Sequence, residues 1–145
     1  MNSIKGKIIN YNESFFGEII FNQNINKINK SENFNNDVII IPGFVDLHCH
    51  GGNGFDTMEG YSSIKEMSNF HLLHGTTTLL PTTWTSGFDN ILKTLKSIDE
   101  LINDENNNIE GIHLEGPFIN PNKLGAQPAL TQLPSYDFIE NILKD

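Results

Sequence analysis

The stretch Pro42-Gly43-Phe44-Val45-Asp46-Leu47-His48-Cys49-His50-Gly51 decides how this chain is read. An apolar run, Val38 to Ile41, meets a Pro-Gly break. A second apolar segment follows and ends in two histidines with one residue between them. In a strand, side chains two apart leave on the same face. His48 and His50 therefore project together, close enough to share one cation. Neutral imidazole suits zinc, iron, nickel or copper. Such a pair alone reads equally well as two surface histidines near a loop, so position has to decide. Here it closes an expected buried strand, Phe44 to His48, just before a glycine-rich loop, which is where βα-barrel enzymes place their chemistry.

Upstream, residues 4–9 and 18–21 read as short strands around a polar turn at Asn10 to Ser14. Residues 22–36 are Asn-rich, with one weak strand near Ile25 to Ile28 and loops around it. Residues 1–41 thus form a small β segment, and the barrel-like part covers 42–145.

Downstream, Gly51 to Gly60 reads as a loop. Ser62 to His74 has helical spacing at Ile64, Met67, Phe70, Leu72 and Leu73, and Gly75 ends it. Thr76 to Leu80 is β-prone and stops at Pro81. Phe88 to Ile102 carries the clearest amphipathic stripe in the chain. A polar linker, Asn103 to Asn108, leads to a third strand at Ile109 to Leu114. A loop then runs to Pro134, and a helix begins at Tyr136. Alternating strands and helices imply a parallel sheet with right-handed crossovers. A barrel is preferred over a doubly wound sheet because candidate ligands stand at the ends of two strands. Gly51-Gly52-Asn53-Gly54 is not a G-x-G-x-x-G fingerprint, and no G-K-[ST] follows.

The expected fold class is α/β: the first strands and helices of a (β/α)8 TIM-like barrel, after a small β-sandwich segment. The barrel is expected to be incomplete, because 145 residues fall well short of the roughly 250 that a full one takes. A net charge of −9 argues against nonspecific nucleic-acid binding, which needs a basic face. The single cysteine, Cys49, allows no internal disulfide. Neither a leader nor an apolar run of about 20 residues is evident, so no membrane partner and a cytoplasmic location are expected.

Glu115 closes the third strand, in His113-Leu114-Glu115-Gly116-Pro117, and would aim its carboxylate at the same mouth. Carboxylate beside imidazole suits zinc or iron. His113 would lie one layer deeper, as a hydrogen-bonded interior histidine. Asp46 shares the face of His48 and would either orient an imidazole or bond nearby backbone. His71 and His74 read as structural or exposed, and Cys49 as a small core residue. Thr76, Thr77, Thr78, Thr82 and Thr83 read as strand formers. Trp84 lines the mouth or covers a helix.

These residues resemble a known family. Pro42 to Gly51 is similar to the first barrel strand of the amidohydrolase superfamily, whose His-x-His binds a catalytic metal. Residues 74–82 (His-Gly-Thr-Thr-Thr-Leu-Leu-Pro-Thr), 111–121 (Gly-Ile-His-Leu-Glu-Gly-Pro-Phe-Ile-Asn-Pro) and 123–127 (Lys-Leu-Gly-Ala-Gln) resemble the N-acetylglucosamine-6-phosphate deacetylases. The resemblance implies a divalent metal, zinc or iron, as one or two ions. It implies that Glu115 is a ligand and that His48 and His50 hold an additional ion. The backbone of Ala126 would contact an amino-sugar phosphate, with Gly125 permitting the approach and Gln127 standing where other members often have His. The reaction implied is removal of acetate from N-acetylglucosamine 6-phosphate. Members carry further metal histidines and the proton-transferring aspartate on later strands, so no catalytic residue is expected within these 145. A homodimer, or a complementing second half of the barrel, would be the macromolecular partner. The alternatives are a noncatalytic fragment or scaffold subunit, and a dihydroorotase-like amidohydrolase. The latter would use a carboxylated lysine, whereas Lys123 is in a loop and Glu115 fills the bridging position.

Overall fold

The computed structural model describes residues 1–32, 37–104 and 106–144, so the loop readings at 33–36 and at 105 lie outside the described residues. The chain divides into two units, Met1–Pro42 and Gly43–Asp145. In the first, β1 (Asn2–Ile9), β2 (Ser14–Phe21), β3 (Ile25–Ser31) and β4 (Ile39–Ile40) form one sheet in the order β3-β2-β1-β4. The β1, β2 and β3 pairings are antiparallel, and β4 joins β1 in parallel. Alternation sets the faces: Gly6 and Ile8 are buried while Lys5 and Lys7 are exposed. Lys5 pairs with the half-buried Glu18 across β1 and β2, and the exposed Lys30 of β3 pairs with Glu13 in the turn before β2.

The second unit is an α/β arrangement. Its β5 (Phe44–Cys49) runs parallel to β8 (Thr76–Pro81), and α1 (Tyr61–Leu73) lies between them in sequence. After β8 come α2 (Phe88–Ile102) and, beyond a long loop, α3 (Tyr136–Lys144). The core gathers Cys49, Ile64, Met67, Leu79, Ile98, Leu101 and Ile109. The α2 stripe folds as its spacing demands: Ile91, Ile98 and Leu101 are fully buried. On α3, Phe138 is buried and meets the rings of Phe88 and Phe118 edge-on.

Four expectations are corrected. First, β5 is largely exposed rather than buried, with Phe44, Val45 and Leu47 each more than half accessible. It pairs with β8 alone, and among the described residues no strand lies along its other edge. Second, Ile109 to Leu114 is not a strand. It touches β8 and the residue that follows it through two isolated parallel bridges, Leu79↔Ile109 and Thr82↔His113. The two bridges differ in register by one residue, and an extra residue of this bulge kind breaks a ladder.

Third, the Gly51–Gly60 segment is built. Here β6 (Gly51–Gly52) and β7 (Phe55–Asp56) pair antiparallel around Asn53-Gly54, both at positive φ. Asn-Gly is the favoured two-residue hairpin turn. A 3-10 turn follows at Thr57–Glu59, where the Asp56 carboxylate accepts from the Met58 amide at 2.7 Å. Fourth, Leu72 and Leu73 on α1 face solvent. At 100° per residue, the buried face of Ile64 and Met67 continues to His71 rather than to Leu73.

Candidate metal centre

The site lies wholly within the second unit, at the C-terminal ends of β5 and β8. His48 lies in β5 and His50 one residue beyond its end; the two-residue spacing brings them to one face, and their Nε2 atoms lie 3.0 Å apart. Glu115 arrives from the irregular segment beside β8. Its Oε2 lies 2.9 Å from His50 Nε2 and 3.4 Å from His48 Nε2. The three donor atoms form a near-equilateral triangle. Ligand bonds of about 2.1 Å put two donors roughly 3.0 Å apart at right angles and 3.4 Å apart at a tetrahedral angle. All three separations match a common cation.

Proton placement supports the same reading. His50 Nδ1 sits 3.1 Å from the carbonyl oxygen of Thr82. A carbonyl only accepts, so Nδ1 carries the hydrogen and neutral His50 presents a bare lone pair at Nε2. That lone pair faces Glu115 Oε2, a solvent-inaccessible oxygen with no hydrogen-bond partner among the described residues. A proton on His48 would satisfy only part of this cluster, whereas a cation satisfies all of it. The Thr82 carbonyl thus serves as the outer partner that sets a metal-binding tautomer.

Threonines hold both halves in place. The Thr82 amide donates to the Cys49 carbonyl at 2.7 Å, and the Cys49 amide donates to the Thr82 hydroxyl at 2.9 Å. Just beyond β5, the Thr57 amide donates to the His50 carbonyl. Thr83 clamps Glu115: its hydroxyl accepts from the Glu115 amide at 3.0 Å and donates to the Glu115 carbonyl at 3.2 Å. Thr82 and Thr83 are fully buried. Reading them only as strand formers missed these roles. The available signal was their place after Pro81, beyond the strand end, where β-propensity has nothing left to explain.

Other candidates fall into place around this centre. The Asp46 carboxylate accepts from the His48 amide at 3.1 Å, so it bonds nearby backbone. His113 meets the His48 ring edge-on, with centroids 4.7 Å apart. Cys49 is buried, and that burial pushes its thiol above the ordinary value. His71 lies against it, with Nε2 3.2 Å from both Cys49 Sγ and the Gly51 carbonyl oxygen. Trp84 stacks on the face of His50. Gly125, at positive φ, and Ala126 lie exposed in the 123–127 loop. The buried side chain of Gln127 accepts from the Thr85 amide at 2.8 Å, which turns it into the protein and ties that loop to the segment after β8.

No protein-family profile matches the chain. Among curated proteins, it is 41% identical over 98 residues to N-acetylglucosamine-6-phosphate deacetylase of Bacillus subtilis, a match covering 63% of this chain and 25% of that protein. It is 35% identical over 132 residues to the enzyme of that name from Danio rerio, covering 86% and 30% respectively. Among solved structures, the Thermotoga maritima N-acetylglucosamine-6-phosphate deacetylase superposes with a TM-score of 0.87 at 30% identity, over 96% of this chain and 39% of that one. The chain spans about a quarter to a third of the length of the curated relatives it matches. By sequence and by fold, it is a homologue of part of the N-acetylglucosamine-6-phosphate deacetylases, a group of hydrolases.

Proposed function

We propose that this chain supplies the first part of a metal-dependent deacetylase acting on N-acetylglucosamine 6-phosphate. In this reading residues 1–41 contribute to a β-sandwich and residues 42–145 form the opening βα units of a barrel. The observation that carries the proposal is the convergence of His48 Nε2, His50 Nε2 and Glu115 Oε2, the last a buried oxygen with no hydrogen-bond partner among the described residues. This donor set of two imidazoles and one carboxylate fits zinc or iron, and its compactness favours one shared ion over separate ones. When bound, a divalent cation polarises an acetamide carbonyl and acidifies water beside it.

The chain's own residues then have distinct tasks. His48, His50 and Glu115 hold the ion, the Thr82 carbonyl fixes the His50 tautomer, and Thr83 fixes Glu115. The backbone at Gly125 and Ala126 approaches the sugar. Gln127 anchors that loop rather than contacting substrate, because its amide oxygen is already engaged by Thr85. Proton transfer falls to a group from the part of the enzyme this chain does not match. Asp46, the carboxylate on β5, is committed to the His48 amide.

The test is to titrate the purified chain with zinc(II) and to assay acetate release from N-acetylglucosamine 6-phosphate. The expected result is one bound equivalent and no enzyme-like turnover by the chain alone. Turnover should appear once the chain is joined to the remaining length of the Bacillus subtilis relative. Failure to bind metal would overturn the ligand assignment, and turnover by the 145 residues alone would overturn the division of labour.

A further inference from the structure

We propose that Trp84 is a positioning residue for the metal centre, its indole holding the His50 imidazole in the plane that metal binding requires and favouring the metal-bound ring. The inference rests on His48, His50 and Glu115 being ligands. The Trp84 and His50 ring centroids lie 3.9 Å apart, with their planes 21° from parallel. The other ring contacts at the site are edge-on: 77° for His48 with His50 and 82° for His48 with His113. Among the described residues, His50 is therefore the one ligand held across its face.

Two restraints on His50 are complementary. The bond from Nδ1 to the Thr82 carbonyl sets where the ring edge points, but hydrogen bonds tolerate tens of degrees of bending. A stacked indole restrains the remaining tilt of the ring plane. With both in place, the Nε2 lone pair stays aimed at the point shared with Glu115 and His48.

The backbone delivers Trp84 rigidly. Thr83 and Thr85, on either side, are both buried, and Trp84 between them stacks on His50. The Thr83 amide donates to the His113 carbonyl, the Trp84 amide contacts Met58 Sδ at 3.4 Å, and the Thr85 amide donates to Gln127. The segment is tied at three consecutive residues.

The chemistry of the pair sets its direction. A cation withdraws electron density from the imidazole it binds. Among aromatic faces, the indole attracts electron-poor partners most strongly. Stacking therefore strengthens on metal loading, which is a gain in affinity and not merely apolar cover.

The experiment uses the full chain and cobalt(II), with tryptophan fluorescence and a competing chelator as readouts. The chain has one tryptophan, so emission reports residue 84 alone. Stoichiometric cobalt(II) should quench it in the wild type and leave it unchanged in Glu115→Gln. Trp84→Phe keeps an aromatic face and should retain cobalt affinity to within about threefold. Trp84→Leu keeps apolar bulk without that face and should lose about 2- to 10-fold, at unchanged far-UV circular dichroism. Equal affinities for the Phe and Leu variants would overturn the proposal while leaving the ligands standing. Absence of cobalt binding by the wild type would instead overturn the ligand reading beneath it.

Discussion

The two arms of the metal centre are built by different means. His48 lies in β5 and His50 one residue beyond its end, so two-residue spacing along the chain brings them together although the pairing of β5 with β8 itself shifts register between Asp46 and Cys49. Glu115 rides on a segment whose ladder to β8 is broken by a register shift, so its position depends on the Thr83 hydroxyl and on Gly116 behind it. One arm is placed by backbone repetition and the other by specific side-chain contacts. The second kind is open to disruption by single substitutions that touch neither metal nor substrate.

That contrast can be broken most directly at Glu115 itself. Glu115→Gln should retain the fold and lower metal affinity by more than about 100-fold, because losing a ligand exceeds the effect of losing an outer partner. Isothermal titration of both proteins checks this. Affinity within a few-fold of wild type would remove Glu115 from the centre.

The next effect sharpens the claim about side-chain support. Thr83→Val strands the Glu115 amide, and a buried unpaired donor costs about 1–3 kcal/mol. Metal affinity should also fall about tenfold, with Thr83→Ser restoring most of both. Denaturant unfolding read alongside metal titration separates the two losses.

Gly116→Ala tests the backbone that follows the ligand. Gly116 has φ +79, and a Cβ there would collide with the Thr85 hydroxyl and lie 2.9 Å from the Thr85 Cα. A loss of about 1–3 kcal/mol is expected in chemical unfolding. No comparable backbone sensitivity is expected on the β5 arm at Leu47→Ala, a side chain already exposed.

The smallest effect lies away from both arms, at Asp104. Its carboxyl is held below the ordinary value by the Asn106 amide first and by Lys65 second. A depressed carboxyl stabilises the fold above its unfolded pKa and loses that contribution as pH falls through the lower, folded one. Asp104→Asn should therefore flatten the acid limb of the stability profile slightly and leave metal affinity alone. Because both side chains of the Lys65 pair are solvated, the change in melting temperature should be marginal.

The same contrast explains what could be read in advance. The pairing of His48 with His50 needed only strand periodicity, and the α2 stripe needed only helical periodicity. Glu115 is read from its place at the end of an expected third strand and from motif resemblance; that strand does not form, and the Thr83 clamp that positions the residue is not legible in the local sequence. Thr82 and Thr83 were passed over because threonine is a strand former before it is a clamp, and the difference lies in tertiary neighbours. The burial of β5 was misjudged for a similar reason: apolar character shows what a strand can bury, not whether anything lies beside it. His71 and the Asn53-Gly54 hairpin were legible but unread. The first follows from the helical angle and the second from turn chemistry.

The open edge of β5 has a consequence for behaviour in solution. Among the described residues no strand lies along that edge, and Phe44, Val45 and Leu47 are accessible, which is a template for edge-to-edge pairing. The chain's net charge of −9 opposes that encounter through repulsion between copies. Salt shortens the reach of that repulsion to about 3 Å at 1 M. Colloidal stability should therefore fall as ionic strength rises, the reverse of ordinary salting-in, and light scattering would register it before any loss of secondary structure.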